Sequence, residues 1–254
     1  MTLFNTAPVT LEAATPAAPW ITLDLETGDA PAAAVTDAIA AWRAPSNWKP
    51  ETVANRRQEA AERIREKSAL LDAAPILCMA LRSPDEQVVW NGMDAGPHAI
   101  EDWRVDSRGD ERNMLIAIRE WLDRRTDPTT LLVGHNHRNF DLPKLRTRFV
   151  HHRLRLPRVL TPKLGDAGSA NETVDTMTLF RAFSPEHRDN LFVDLETVAR
   201  HLGIPRPKQV VSGAEVPRLH REGNHLAVLV YCCVDVATTS TAFQLMTSTA
   251  PGLA

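Results

Sequence analysis

The sequence predicts a single α/β domain, because segments with the period of a strand alternate with segments with the period of a helix. Residues 21–26 alternate apolar and polar side chains, as in a strand with one buried face. Residues 75–81 and 87–90 form two further predicted strands, separated by a Ser-Pro-Asp-Glu turn typical of a hairpin. Residues 111–125 and 141–152 carry apolar side chains at helical spacing, which predicts helices that pack against the strands.

The rest of the chain continues the same α/β pattern. Residues 131–134 are predicted to form a short buried strand, and helices are expected at 175–183, 195–202 and 224–246. No internal repeat and no linker divides residues 1–254, so we expect a single domain.

Two segments stand apart from this pattern. Residues 1–19 are rich in Ala, Pro and Thr and are expected to form a loose N-terminal lead-in. Residues 30–72 are predicted to be a helical insertion, with helices near 32–42 and 51–71.

Composition excludes several classes of protein. The 254 residues are 43% hydrophobic and 24% charged, which excludes a disordered chain or a fibrous repeat. A formal net charge of -3 means that any nucleic-acid site must be local. Three cysteines, two of them adjacent, predict neither a disulfide framework nor a zinc finger. With no signal peptide and no apolar run of about 20 residues recognised, we expect a cytoplasmic protein without a membrane partner.

Acidic side chains are the candidate functional residues. Asp24 and Glu26 share one face of the first predicted strand, although a water-exposed face is the common explanation for such a pair. Asp141 follows a strand at the entrance to a helix, where an ordinary N-cap is the alternative. Tyr231 and Asp235 are one helical turn apart, and the alternative is a core-edge aromatic beside a solvated acid.

Three motifs in this order carry a resemblance to a known family. They are Leu23-Asp-Leu-Glu-Thr27, His135-Asn-His-Arg-Asn-Phe-Asp-Leu-Pro-Lys-Leu145 and Tyr231-Cys-Cys-Val-Asp235. With further agreement at 174–176 and 194–205, residues 20–247 resemble the DEDD superfamily of DnaQ-like 3′-5′ exonucleases in its tyrosine subclass. The chain looks most like stand-alone relatives of the proofreading exonuclease domain of family B DNA polymerases. Residues 30–72 depart from that pattern by their length.

The resemblance implies a ribonuclease H-like fold, with a mixed five-stranded sheet that has one antiparallel strand and is flanked by helices. It also implies two divalent cations, Mg²⁺ or Mn²⁺, which suit a cluster of oxygen ligands. By the family's pattern Asp24 would contact both cations, Glu26 and Asp235 would complete the first site, and Asp141 would hold the second. Tyr231 would orient the attacking water and complete the catalytic set.

Further residues are expected to contact the substrate. The resemblance places Leu25, Thr27, Asn136 and Phe140 beside the terminal nucleotides, with a core position as the alternative for Phe140. Residues 138–158 contain seven Lys or Arg and one acid, a local balance of +6. This segment is either a phosphate track or the solvated face of an amphipathic helix.

Other polar residues favour structural roles. His135 and His137 lack a third ligand, so hydrogen bonding or exposure is favoured over a zinc site. Asp175 and Asp194 precede apolar helical runs and are predicted to be helix N-caps.

The function expected from the resemblance is metal-dependent 3′-5′ exonuclease activity on single-stranded DNA ends, releasing 5′-mononucleotides. The alternatives are a 3′-5′ exoribonuclease and a nuclease-fold adaptor that binds nucleic acid or a replication protein. A setting in replication, recombination or repair, with proteins of those processes as partners, is expected on the same ground.

Overall fold

A computed structural model describes residues 19–162, 172–205 and 211–249. The lead-in expected at 1–19 therefore lies almost entirely outside the described residues. Six strands form one sheet in the order β4-β3-β2-β1-β5-β6. They are β1 Trp20–Thr27, β2 Ile76–Arg82, β3 Gln87–Asn91, β4 Arg104–Ser107, β5 Leu131–Gly134 and β6 Thr173–Asp175.

The sheet is mixed, as predicted, with β2 as its one antiparallel strand. β2 runs antiparallel to both β1 and β3, whereas the pairs β1–β5, β5–β6 and β3–β4 are parallel. The sheet has six strands instead of the expected five, because β4 adds to the edge beside β3. β4 is short and polar, so it lacks the apolar alternation from which a strand is predicted.

Eight α-helices accompany the sheet within the described residues. They are α1 Ala32–Ala41, α2 Pro50–Glu66, α3 Glu111–Arg125, α4 Asp141–His151, α5 Thr176–Phe183, α6 Leu195–His201, α7 Val216–Arg221 and α8 His225–Ser248. All but α7 were predicted, and the α/β class is confirmed.

Helices cover both faces of β1, and this placement positions the acidic residues. The side chains of Leu23 and Leu25 belong to a core cluster that contains the buried faces of α3 and α4. Cys232 of α8 lies on the opposite face and contacts the carbonyl oxygen of Asp24. Because strand side chains alternate, Asp24 and Glu26 lie on the face covered by α8.

The segment 30–72 is helical, as predicted, and is held at the end of β1. Neither α1 nor α2 has a buried residue. The hydroxyl of Thr27 donates a hydrogen bond of 3.0 Å to the carbonyl of Ala69, and Ser68 donates one of 2.9 Å to Asp29. The chain just after α2 is therefore anchored to the strand that carries Asp24 and Glu26.

Helix α8 is long and apolar enough to cross a membrane by length and composition. The expectation that the chain has no apolar segment of the length of a membrane helix is therefore wrong. In the structure 61% of its apolar window is buried inside the protein, as in a helix that packs against a sheet. One helix of this kind is weak evidence for a membrane span.

Candidate active site

The carboxylates of Asp24 and Glu26 lie between β1 and α8, largely shielded from water. Glu26 is 9% exposed, and Oδ2 of Asp24 is shielded from solvent without a hydrogen-bond partner. Burial raises the pKa of both carboxyl groups well above the ordinary value, and repulsion from neighbouring carboxylates raises it further. The water-exposed strand face considered for this pair is therefore wrong.

Asp141 reaches the same place from α4. It is the first residue of that helix, and Phe140 occupies the cap position, so the N-cap alternative for Asp141 is wrong. Its pKa is raised to about 7, chiefly by burial, although backbone hydrogen bonds from Asp141 itself and from Leu25 oppose the rise. Leu25 stands between Asp24 and Glu26, so this contact joins α4 to the acidic segment of β1.

Tyr231 and Asp235 lie on the side of α8 that faces the cluster. The two side chains are hydrogen-bonded to each other across one helical turn. Burial and the nearby carboxylates of Asp235, Glu26 and Asp24 raise the pKa of Tyr231 above its ordinary value. The structure thus brings together all five residues for which the sequence predicts catalysis.

The cluster has the chemistry of a divalent-cation site. Coulombic repulsion from both Asp141 and Asp235 acts on Asp24, so four carboxylates lie close enough to destabilise one another's charge. Oxygen and sulfur atoms of Asp24, Glu26 and Cys232 fall within 4.8 Å of one another. A bound cation would take the unpartnered Oδ2 of Asp24 as a ligand and would offset the repulsion between the carboxylates. The residues therefore fit a hard metal ion.

The four predicted substrate residues surround this cluster in different ways. Leu25 and Thr27 are buried, and the Thr27 hydroxyl is already bonded to Ala69. Asn136 adopts a φ of 56°, and its backbone N–H donates to Asp175 at 3.0 Å. Phe140 is partly buried against the core cluster of α3 and α4. Their contact with a substrate stays a prediction.

Asp175 lies beside the cluster, and the sequence predicts that it is a helix N-cap. Its carboxylate accepts the backbone N–H of Met177, as predicted for a cap, and also that of Asn136. It raises the pKa of Asp141 by Coulombic repulsion. Besides the apolar run that predicts the cap, the resemblance at 174–176 is the sequence signal that draws attention to this position. The N-cap predicted at Asp194 is confirmed by its bond to the backbone of Thr197.

The two histidines of the second motif differ in their contacts. His135 contacts the Thr176 hydroxyl at 3.1 Å and the Val193 carbonyl at 2.8 Å. His137 is fully buried, with Nδ1 3.6 Å from Oδ2 of Asp175. The contacts of His135 favour the hydrogen-bonded interpretation over a zinc site, whereas both ring nitrogens of His137 are buried without a hydrogen-bond partner and that residue has only the ion-pair contact with Asp175.

The basic segment 138–158 does not present all its charges to solvent. Arg148 is buried in an ion pair with Glu111, and Nζ of buried Lys144 donates to the backbone carbonyl of Leu71. Arg146 donates to the carbonyl of Leu160. These three cations therefore hold the fold together, and both the phosphate track and the solvated face are wrong for them. The phosphate track stays a prediction for the exposed cations of the segment, Arg138, Arg153, Arg155 and Arg158.

Comparison with known proteins identifies the family. A family model described as a predicted 3′-5′ exonuclease related to the exonuclease domain of PolB matches residues 97–250. The matched part is more than half of the chain and includes Asp141, Tyr231 and Asp235, whereas Asp24 and Glu26 precede it. A search of curated proteins found no match. The chain therefore belongs to the family of predicted 3′-5′ exonucleases related to the PolB exonuclease domain.

Proposed function

We propose that this protein is a metal-dependent 3′-5′ exonuclease of the DEDD tyrosine subclass. It would shorten single-stranded DNA from the 3′ end and release 5′-mononucleotides with two Mg²⁺ or Mn²⁺ ions. The observation that supports this best is that the charges of Asp141 and Asp235 act on both Asp24 and Glu26, beside an Oδ2 of Asp24 that has no hydrogen-bond partner. The RNA substrate and the non-cleaving adaptor remain the alternatives.

Each of the four carboxylates would bind one or both of the cations. Asp24, which is repelled by both Asp141 and Asp235, is assigned to both ions, Glu26 and Asp235 to the first, and Asp141 to the second. Bound cations at such a cluster neutralise the charge that grows on the attacking and leaving oxygens. Without them the buried carboxylates favour protonation, because burial and repulsion raise their pKa values.

Tyr231 would orient the attacking water by a hydrogen bond. Its pKa is raised, so the phenol keeps its proton at neutral pH and does not serve as a general base. The Asp235 carboxylate holds the phenol in one orientation. A protonated, oriented hydroxyl suits the placing of a nucleophile, which contributes through geometry more than through proton transfer.

The 3′ terminus would lie against the residues that surround the acids. We assign Asn136 and Phe140 to the terminal bases, since both side chains are partly exposed. Leu25 and Thr27 would contribute through their backbone groups, because their side chains are buried. A cytoplasmic role in DNA replication, recombination or repair, with partners from those processes, is part of this proposal. The assignment of residues 1–254 to one domain is also part of this proposal.

The decisive experiment follows degradation of a 5′-labelled single-stranded DNA with Mn²⁺ or Mg²⁺. Asp24→Asn and Asp141→Asn should each lower the rate at least about 10³-fold, because each removes a charged ligand. Asp37→Asn, an exposed acid on α1, should leave the rate unchanged. Circular dichroism checks that each variant is folded.

The same assay separates the alternatives. A matched RNA oligonucleotide that is degraded faster than DNA would identify an exoribonuclease. Binding without cleavage would favour the adaptor. An Asp24→Asn variant that retains wild-type activity would overturn the proposed mechanism.

A further inference from the structure

A second group of metal-ligand side chains lies where the chain leaves β3 and where α8 begins. Asp94 follows β3, His98 is four residues later, and His225 is the first residue of α8. Nε2 of His98 is 3.0 Å from Oδ1 and 3.3 Å from Oδ2 of Asp94. Nδ1 of His225 contacts Oδ2 of the same carboxylate. One ligand atom from each residue fits within a 4.8 Å span.

We propose that Asp94, His98 and His225 form a binding site for a single transition-metal cation such as Zn²⁺, separate from the exonuclease site. Two imidazole nitrogens and one carboxylate oxygen are a donor set that suits zinc. The acids around Asp24 offer mainly oxygen, which suits Mg²⁺ or Mn²⁺. The two sites therefore differ in the metal that they favour.

The carboxylate of Asp94 is already fixed in position for this role. Its Oδ1 accepts the backbone N–H of Gly96 at 2.8 Å and the Asn91 amide at 3.2 Å. Supporting hydrogen bonds of this kind orient ligands in metal sites. They do not involve either imidazole, so a cation that replaced the contacts of His98 and His225 with the carboxylate would leave Asp94 held in place.

His220 supplies a candidate for the fourth ligand. Its ring lies 5.3 Å from that of His225, and its Nδ1 is buried without a hydrogen-bond partner. A buried imidazole nitrogen without a partner is costly, and a nearby cation would remove that cost. The side chains of His98 and His225 are each 18% exposed, so a cation can reach the group.

The placement suggests what such a cation would do. It would link the segment after β3 to His225 in the first turn of α8. His225 precedes Tyr231 by six residues, or about 9 Å along the helix axis. The positive end of the α8 dipole opposes a cation there, and the negative charge of Asp94 offsets that repulsion. The site would therefore stabilise the start of the helix that carries Tyr231 and Asp235.

Metal binding can be measured without any nuclease assay. The experiment titrates Zn²⁺ into the metal-free Asp24→Asn variant, which lacks the central acid of the exonuclease site, and uses Co²⁺ absorption to report nitrogen ligands. We expect one equivalent to bind. Adding His98→Gln or His225→Gln should weaken that binding at least tenfold, whereas adding His151→Gln, an exposed histidine outside the group, should not.

The thermal midpoint gives a second readout. Zn²⁺ should raise it for the Asp24→Asn parent and for the His151→Gln control, and should raise it less once His98 or His225 is replaced. Variants are compared without metal first, so that a folding defect is recognised. Equal Zn²⁺ affinity with and without His98 and His225, or no bound equivalent in the parent, would overturn the proposal. Neither result depends on whether the protein is an exonuclease.

Discussion

The guanidinium of Arg148 donates two hydrogen bonds to the carboxylate of Glu111, at 2.8 Å from Nε and 2.5 Å from Nη2. Both side chains are buried, and the same carboxylate accepts the backbone N–H of Ile76 and contacts His152. The pair thus joins the start of α3, the start of β2 and the end of α4. It holds together the layer of helices that lies behind the acidic strand.

Arg148→Ala should lower the free energy of unfolding by about 3–5 kcal/mol, because it leaves the Glu111 carboxylate buried without its main partner. Chemical denaturation measures this change. Arg158→Ala, at an exposed position, should change stability by less than about 0.5 kcal/mol. If Arg148→Ala kept wild-type stability and weakened DNA binding with a smaller salt dependence, Arg148 would be a phosphate ligand after all.

The acidic cluster should make the metal-free protein less stable as pH rises. The pKa of Asp141 is about 7 in the folded protein and near 3.8 in the unfolded chain. A raised pKa contributes stability that is complete below pH 3.8 and is lost as pH rises toward 7. Denaturation in the presence of a chelator should show a smaller loss of stability between pH 5 and pH 7.5 for Asp141→Asn than for the wild type. An identical loss in both proteins would contradict the assigned pKa.

Mn²⁺ should raise the thermal midpoint of the wild-type protein at pH 8, because the cation binds the folded carboxylates and not the unfolded chain. The increase should be smaller for Glu26→Gln, which removes one ligand charge. Differential scanning fluorimetry with and without Mn²⁺ gives the comparison, and Asp37→Asn is the matched control with an unchanged response. A full response in Glu26→Gln would exclude this carboxylate as a ligand.

Tyr231→Phe should lower kcat by about 10²-fold and leave KM nearly unchanged, since it removes one orienting hydroxyl but keeps the ring. Steady-state degradation of the labelled oligonucleotide measures both constants. Thermal unfolding should remain close to that of the wild type. A wild-type kcat in this variant would remove the tyrosine from the mechanism and with it the proposed subclass.

Gly134→Ala should destabilise the fold by about 1–3 kcal/mol. An added Cβ would lie 2.5 Å from Cβ of His137, which is fully buried and cannot withdraw. Gly28→Ala is the matched control, since its Cβ would lie 3.0 Å from Cδ2 of Leu77 and 3.5 Å from Leu77 Cγ and Pro75 Cγ, a milder approach than the one at Gly134. Urea denaturation of both variants tests this, and equal stability of the two would show that the β5 end is more adaptable than the packing indicates.

Most of the fold could be predicted because its elements carry strong local periodicity. The predicted bounds of α3 and β5 agree with the structure: α3 has a regular buried face, and β5 is a short apolar segment that is buried along its whole length. β4 was missed because Arg104–Ser107 lies at the sheet edge, where polar residues are tolerated and no apolar period develops. The short β6 and α7 were missed for a related reason, since three and six residues are too few to show a strand or helical period.

Local geometry alone determined which functional side chains share a face. Asp24 and Glu26 point the same way because strand side chains alternate, and Tyr231 and Asp235 do so because a helical turn takes 3.6 residues. Only the tertiary structure decided that these two faces meet, since Cys232 of α8 contacts Asp24 across 208 positions of the chain. It also decided that the charge of Arg148 is neutralised by Glu111, 37 positions away. Spacing along a strand or helix is set by the neighbouring backbone, whereas burial and ion pairing depend on which distant elements pack together.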